Sequence, residues 1–233
     1  MKTIKNKLQL DLLNEMFIKI PEGTVEMHDD RIKKVWQVKI ASFNLAKFPV
    51  TQDLYELVTK NNPSNIKGAK LPVETVTWID AIQFCNYLSE ALGKVPYCLI
   101  DPISEKISIK DEANGFRLPA EAEWQYACQA GDKITKYGDL DQIAYFKNNS
   151  ANQTHVVGQK QPNQWGIYDM LGNVWKWCSD IYDEEIYGNY WVFRGGGWCD
   201  TERSVMATTR RRSHPVSFKI DDLGFRIALN LND

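Results

Sequence analysis

The sequence has little from which to build a metal or redox centre. It holds only 3 histidines, and His28, His155 and His214 lie far apart along the chain. Its 5 cysteines, Cys85, Cys98, Cys128, Cys178 and Cys199, are odd in number and irregularly spaced. That pattern argues against a disulfide framework. No Cys-x-x-Cys and no Cys/His ligand spacing occurs, so no zinc site is expected. No Ser-His-Asp or Cys-His arrangement can be argued from spacing, and no glycine-rich phosphate loop follows a strand. No window is long and apolar enough to span a bilayer. Asp11, Asn14 and Glu15 interrupt the first apolar stretch, so no signal peptide is read and the protein is expected to be cytoplasmic. A strong charge of either sign is also missing. The net charge of -2 and pI near 6.0 give no reason to expect nucleic acid or membrane as a partner. The one local exception, Arg210-Arg211-Arg212, reads as solvated or salt-bridged surface before it reads as a phosphate site.

What is present describes a soluble globular chain. Its 233 residues suffice for one large domain or two small ones. Residues 1–15 read as a leading helix or arm, and residues 16–233 as the domain. The alternation of 16–20 followed by Pro21-Glu22-Gly23 reads as the start of a hairpin, and Val35–Ile40 as a strand. Thr51 is a suitable N-cap for a helix over 52–60. Ala81, Phe84, Cys85 and Leu88 make the apolar stripe of a second helix, from about Trp78 to Leu92. A third helix follows Pro119 and closes at Gly131. Beyond it glycine and proline punctuate an irregular half. Most of the 8 tryptophans fall there, so it is expected to be held by aromatic packing and loop hydrogen bonds.

Four segments carry a resemblance. They are Phe48-Pro49-Val50-Thr51-Gln52; Gly115 to Trp124, with its Arg117-Leu118-Pro119-Ala120-Glu121; Asn163 to Trp177, with its Gly172-Asn173-Val174-Trp175-Lys176-Trp177; and Arg194-Gly195-Gly196-Gly197-Trp198 followed by Leu223-Gly224-Phe225-Arg226. In order and wording they resemble the formylglycine-generating-enzyme, or sulfatase-modifying-factor, family over about residues 16–230. The resemblance implies an α+β fold, a variant of the C-type-lectin fold, with sparse regular structure and long ordered loops. The motifs also make sense as folding devices, with Glu121 and Glu123 placed in a first helical turn where the macrodipole favours them.

The resemblance then implies a loss. Catalytic members hold copper(I) on two thiolates downstream of the glycine-rich turn, a soft donor set that suits this ion. Here those positions carry Asp200 and Val205, and the turn serine is replaced by Gly197. Cys199 lies one residue from the first position and is alone. The family calcium site matches Asp169, Gly172, Val174 and Lys176. A lysine there removes carboxylate ligands that calcium needs, and its ammonium is expected to sit near Asp169 in place of the ion. A second family calcium site lies in an insertion that the short 147–158 stretch lacks. Relatives of the sulfoxide-synthase type draw iron ligands from a separate helical domain with paired histidines, which this chain does not match.

Two functions are consistent with these residues. The first is a non-catalytic recognition module acting through 199–222, a polar segment bracketed as in the variable proteins of diversity-generating retroelements, which resemble this chain. Its expected ligand-binding residues are Trp175, Trp198, Cys199, Asp200, Arg203, Ser204, Thr208, Arg210, Arg212 and His214. Its partner would be a small molecule, a protein or a peptide, and no metal cofactor is expected. The second is a metal-dependent oxidase or oxygenase with an altered site, as in pyoverdine-maturation-type relatives. That reading keeps copper, iron or calcium open, with Trp175, Trp198, Asp200, Arg203 and His214 lining the pocket.

Overall fold

The computed structural model describes residues 15–29, 31–100, 107–110 and 113–231. Strand β1 (Phe17–Ile20) leads into the long hairpin of β2 (Gly23–Asp29) and β3 (Lys34–Ile40), and β4 (Phe43–Ala46) follows. Helices α1 (Gln52–Thr59) and α2 (Trp78–Ala91) come next, then the short β5 (Cys98–Ile100), β6 (Ile107–Ile109) and β7 (Phe116–Arg117). Helix α3 (Glu121–Gln129) and the single turn α4 (Leu140–Ile143) precede β8 (Trp175–Ile181). The chain finishes with α5 (Glu184–Tyr187), β9 (Trp191–Arg194), β10 (Arg210–Ser213), β11 (Leu223–Phe225) and β12 (Ala228–Asn230).

Two four-stranded sheets organise the molecule, in the orders β1-β4-β12-β7 and β10-β9-β8-β11. The last strand, β12, inserts between β4 and β7 and ties the C-terminus to the N-terminal part of the fold. In the second sheet β11 runs parallel to β8, and β8, β9 and β10 are antiparallel. The apolar residues divide into two clusters. One gathers Trp78, Phe84, Trp177 and Phe225 between α2 and the second sheet. The other gathers Trp124, Ile167, Met170 and Cys178 under α3.

The three sequence-read helices are present at the expected places, and the details differ at their ends. Thr77 and Asp80 form a reciprocal capping box at the start of α2, with N–H to side-chain distances of 2.9 and 3.1 Å. At α1 the Thr51 hydroxyl donates to the Asp53 carboxylate and caps no backbone group. At α3 the cap is supplied by Glu123, whose carboxylate accepts from the Ala120 N–H at 2.8 Å, while Asp180 of β8 accepts from the Glu121 N–H.

Three expectations are corrected or left aside. Pro21-Glu22-Gly23 does not turn a hairpin: β1 pairs with β4, and β2 pairs with β3, so the segment carries the chain from one sheet to another. The half beyond residue 160 is less irregular than its glycines imply, since it contributes the whole β10-β9-β8-β11 sheet. The expected leading arm falls mostly on residues 1–14, outside the described residues.

Candidate functional site

The glycine-rich turn after β9 positions the site. Its second member, Gly196, has φ +78°, a left-handed conformation that favours glycine. At Gly197 the reason is space: a Cβ there would lie 2.3 Å from Oδ2 of Asp222. A serine at this position would compete with the Asp222 carboxylate for the same room.

Around this turn hydrogen bonds draw in distant residues. One Asp200 carboxylate oxygen accepts from the Trp175 indole N–H at 2.6 Å and from the Gly197 N–H at 2.9 Å. The Trp198 indole donates to the Asp221 carbonyl at 3.0 Å. The Cys199 thiol turns toward Asp222, at 3.1 Å from Oδ2. The ligand atoms of Cys199, Asp200 and Asp222 lie within 4.8 Å of one another. Burial and the neighbouring carboxylates of Asp200 and Asp221 push Asp222 up to about 6. Burial and Asp222 itself push the Cys199 thiol up to about 12, the opposite of what a nucleophilic thiol requires.

The donor set does not fit copper(I). Val205 is fully buried, its Cγ2 lies against Gly196, and it offers no ligand atom. Asp200 is a hard oxygen donor, and its Oδ2 is bonded by Trp175 and Gly197.

The second family position is filled by a side chain. Lys176, on β8, is fully buried. Its ammonium donates to the carbonyls of Gly172 at 2.7 Å and Met170 at 3.1 Å. Burial, with nearby Arg226, brings its pKa down to about 7. The second carbonyl that the ammonium bonds is that of Met170. Lys176 and Asp169 lie near enough for each to shift the other's pKa, and among the described residues they make no direct ion pair; Oδ2 of Asp169 accepts from the Gly158 N–H at 2.7 Å while Oδ1 has no partner. Burial holds the Asp169 carboxyl above its usual range. The arrangement does not fit calcium, because the ammonium takes the carbonyl oxygens an ion would need.

The expected ligand-binding residues do not form one patch. Trp175, Trp198, Cys199 and Asp200 meet at the turn. Thr208 lines a separate cleft of about 170 Å³ with Val25, His28 and Lys133. Ser204 is buried, and Arg203 is exposed. Arg210 is occupied internally, with bonds of 2.6 and 2.8 Å to Glu121 and 3.1 Å to Asp29. Arg212 stacks 3.5 Å over the Tyr187 ring and 4.7 Å over Tyr182. His214 accepts from the Val216 N–H at 3.3 Å and faces Tyr190. His155 stacks on Tyr145 at 3.8 Å and bonds the Ser150 carbonyl, a packing role.

Sequence reasoning missed Asp222 and the Glu121 network. Glu121 bridges Arg210 to the fully buried Arg194, which also donates to Gln125 and to the Ala207 carbonyl. Only the acidic first turn of α3 was visible in the sequence, and nothing local marks its basic partners.

Fold and site together define a C-type-lectin-like domain of the formylglycine-generating kind in which the thiol pair is absent. The chain belongs to the sulfatase-modifying factor enzyme 1-like domain family, matched over residues 5–231. It is 35% identical to chaperone protein LppX of Paenibacillus barcinonensis over 80% of this chain and 78% of that protein. It is 28% identical to inactive C-alpha-formylglycine-generating enzyme 2 of Mus musculus, covering 68% of this chain and 49% of the relative, so it spans about half of that longer protein. In structure it is similar to Treponema denticola variable protein 1, with TM-score 0.82, 29% identity, and coverage of 93% and 94%. Relatives named as inactive and as a chaperone are compatible with a non-catalytic module. Among the described residues no helix is long and apolar enough to cross a membrane.

Proposed function

We propose that the chain is a non-catalytic recognition module that binds a protein or peptide partner through its 199–222 segment. The observation that carries this reading is the conversion of the family pocket. Val205 is packed into the core, Asp200 is tied to Trp175 and Gly197, and the chain between and beyond them is turned to solvent at Cys199, Thr201, Glu202, Arg203 and Arg211. Trp198, Arg203, Arg211 and His214 give the segment the mixed aromatic and cationic chemistry of a binding surface. A relative named as a chaperone supports a protein as the partner. Selection of a displayed peptide library on the full chain tests the reading. Selected peptides are expected to lose about tenfold or more in affinity on Trp198→Ala or Arg203→Glu. Binding that ignores these changes and maps to another face overturns it.

A second reading rests on the convergence of Cys199, Asp200 and Asp222 within 4.8 Å. There the chain is a metal-dependent oxidase or oxygenase with a mixed thiol and carboxylate site for iron or another divalent ion. Elemental mass spectrometry after incubation with copper, iron and calcium, then dialysis, separates the two. Stoichiometric metal that is lost on Asp222→Asn carries the second reading. Metal-free protein favours recognition without metal.

A further inference from the structure

Among the described residues strand β10, Arg210–Ser213, is an edge, with β9 as its one strand neighbour in the register Arg210↔Arg194 to Ser213↔Trp191. In an antiparallel pair alternate residues aim their N–H and C=O away from the partner. Among the described residues, the backbone of 210–213 makes no hydrogen bond other than those to β9. An unpaired row of this kind is a template for another strand.

The side chains of β10 differ in how they are satisfied. Arg210 is neutralised by Glu121 and Asp29. Arg211 and Arg212 make no ion pair among the described residues. Arg211 lies on one face of the sheet, 5.9 Å over the Trp175 ring. Arg212 lies on the other, between Tyr182 and Tyr187, with its Nε buried and without a hydrogen-bond partner. Charges that merely protect an edge work by being hydrated and mobile. Here two unneutralised guanidinium groups lie over aromatic rings, one on each face, an arrangement that lowers the ordering cost of binding. Beside them Ile186, Tyr190 and Val216 are exposed at 59%, 38% and 36%.

We propose that the open edge of β10 binds an extended acidic segment of a partner protein as a fifth strand of the β10-β9-β8-β11 sheet. Main-chain bonds from the edge give the affinity. Two adjacent acidic residues give the specificity: neighbours in a strand point to opposite faces, so one meets Arg211 and the next meets Arg212. This inference rests on the recognition reading and names both its partner chemistry and its mode.

The test uses the full chain and a short fluorescent peptide of alternating threonine and valine with two adjacent glutamates at its centre. The expected result is saturable binding, with slowed amide exchange confined to 210–213 and the ladder behind it. Replacing the glutamates by lysines, or N-methylating alternate peptide amides, is expected to abolish binding. Arg211→Glu is expected to weaken it about tenfold with the melting temperature unchanged, since Arg211 is exposed and unpaired. The inference is overturned if the peptide does not bind, if it binds without protecting 210–213, or if the N-methylated peptide binds equally well. Those outcomes leave the recognition reading standing if library-selected ligands still depend on Trp198 and Arg203. If the peptide binds as expected and those dependencies are absent, the binding part of 199–222 is the β10 edge and not the stretch around Trp198 and Arg203.

Discussion

The Nζ of Lys176 lies 2.7 Å from the carbonyl oxygen of Gly172, so a protein ammonium stands where the resembled enzymes place a divalent cation. The donor that satisfies these inward carbonyls is thus built into the chain as the Lys176 side-chain nitrogen, whose pKa burial brings down to about 7. Lys176→Glu is expected to reverse this. In chelator the variant loses on the order of 3–5 kcal/mol, because a carboxylate then faces carbonyl oxygens in a buried site. Added calcium raises its melting temperature and leaves the parent unchanged. A variant indifferent to calcium would show that other ligands of the family site are also gone.

Glu121 holds two arginines, and one of them, Arg194, has no exposure at all. Glu121→Gln leaves two buried or half-buried guanidinium groups without their carboxylate. The expected cost is about 3–5 kcal/mol, seen as a lower urea midpoint with an unchanged slope. A loss under about 1 kcal/mol would mean that Gln125, Asp29 and the Ala207 carbonyl suffice.

Asp222 makes stability depend on pH in a defined direction. Its folded pKa is raised from 3.8 to about 6, chiefly by burial, then by Asp200 and Asp221. Between those values the folded chain holds the proton more tightly than the unfolded chain. The contribution is therefore complete below about 3.8 and is lost as pH rises through about 6. Asp222→Asn should flatten this part of the profile and stabilise the protein at neutral pH by on the order of 1–2 kcal/mol. Thermal melts across the window check the slope.

Restoring the family serine should harm this chain. In Gly197→Ser the new Cβ meets Asp222 Oδ2 at 2.3 Å, and something must shift. A destabilisation of about 1–3 kcal/mol is expected. Asp222→Gly in the same chain should recover part of it, and a double-mutant cycle measures that coupling. Additive effects would disprove the claim that the two positions compete for one space.

Much of the fold was legible because its signals are local. The apolar stripe of Ala81, Phe84, Cys85 and Leu88 needs only helical periodicity, and it matches α2 closely. Val35–Ile40 alternates, and it is part of β3. The turn signal at Pro21-Glu22-Gly23 was equally local and misled, since it states that the chain bends and not which strand it will meet. The partner of β1 is β4, more than a hairpin away, and sheet pairing is chosen by burial of whole faces. Short strands such as β9 and β10 are hidden among glycines and arginines whose patterns fix no period.

By itself the sequence determined the family, through four motifs in order. It also determined the loss of the thiol pair, because Asp200 and Val205 are chemical identities that no folding can change. It placed a lysine at the position that the family resemblance matches to a calcium ligand. Only tertiary structure decided what these residues touch. It placed Lys176 on the Gly172 and Met170 carbonyls, gave Asp222 the space of the missing serine, and split the arginine run into one neutralised member and two unneutralised ones on opposite faces of an open edge. Those outcomes depend on distances between segments far apart in the chain, and burial, which only the packed fold creates, sets the charge each group can carry.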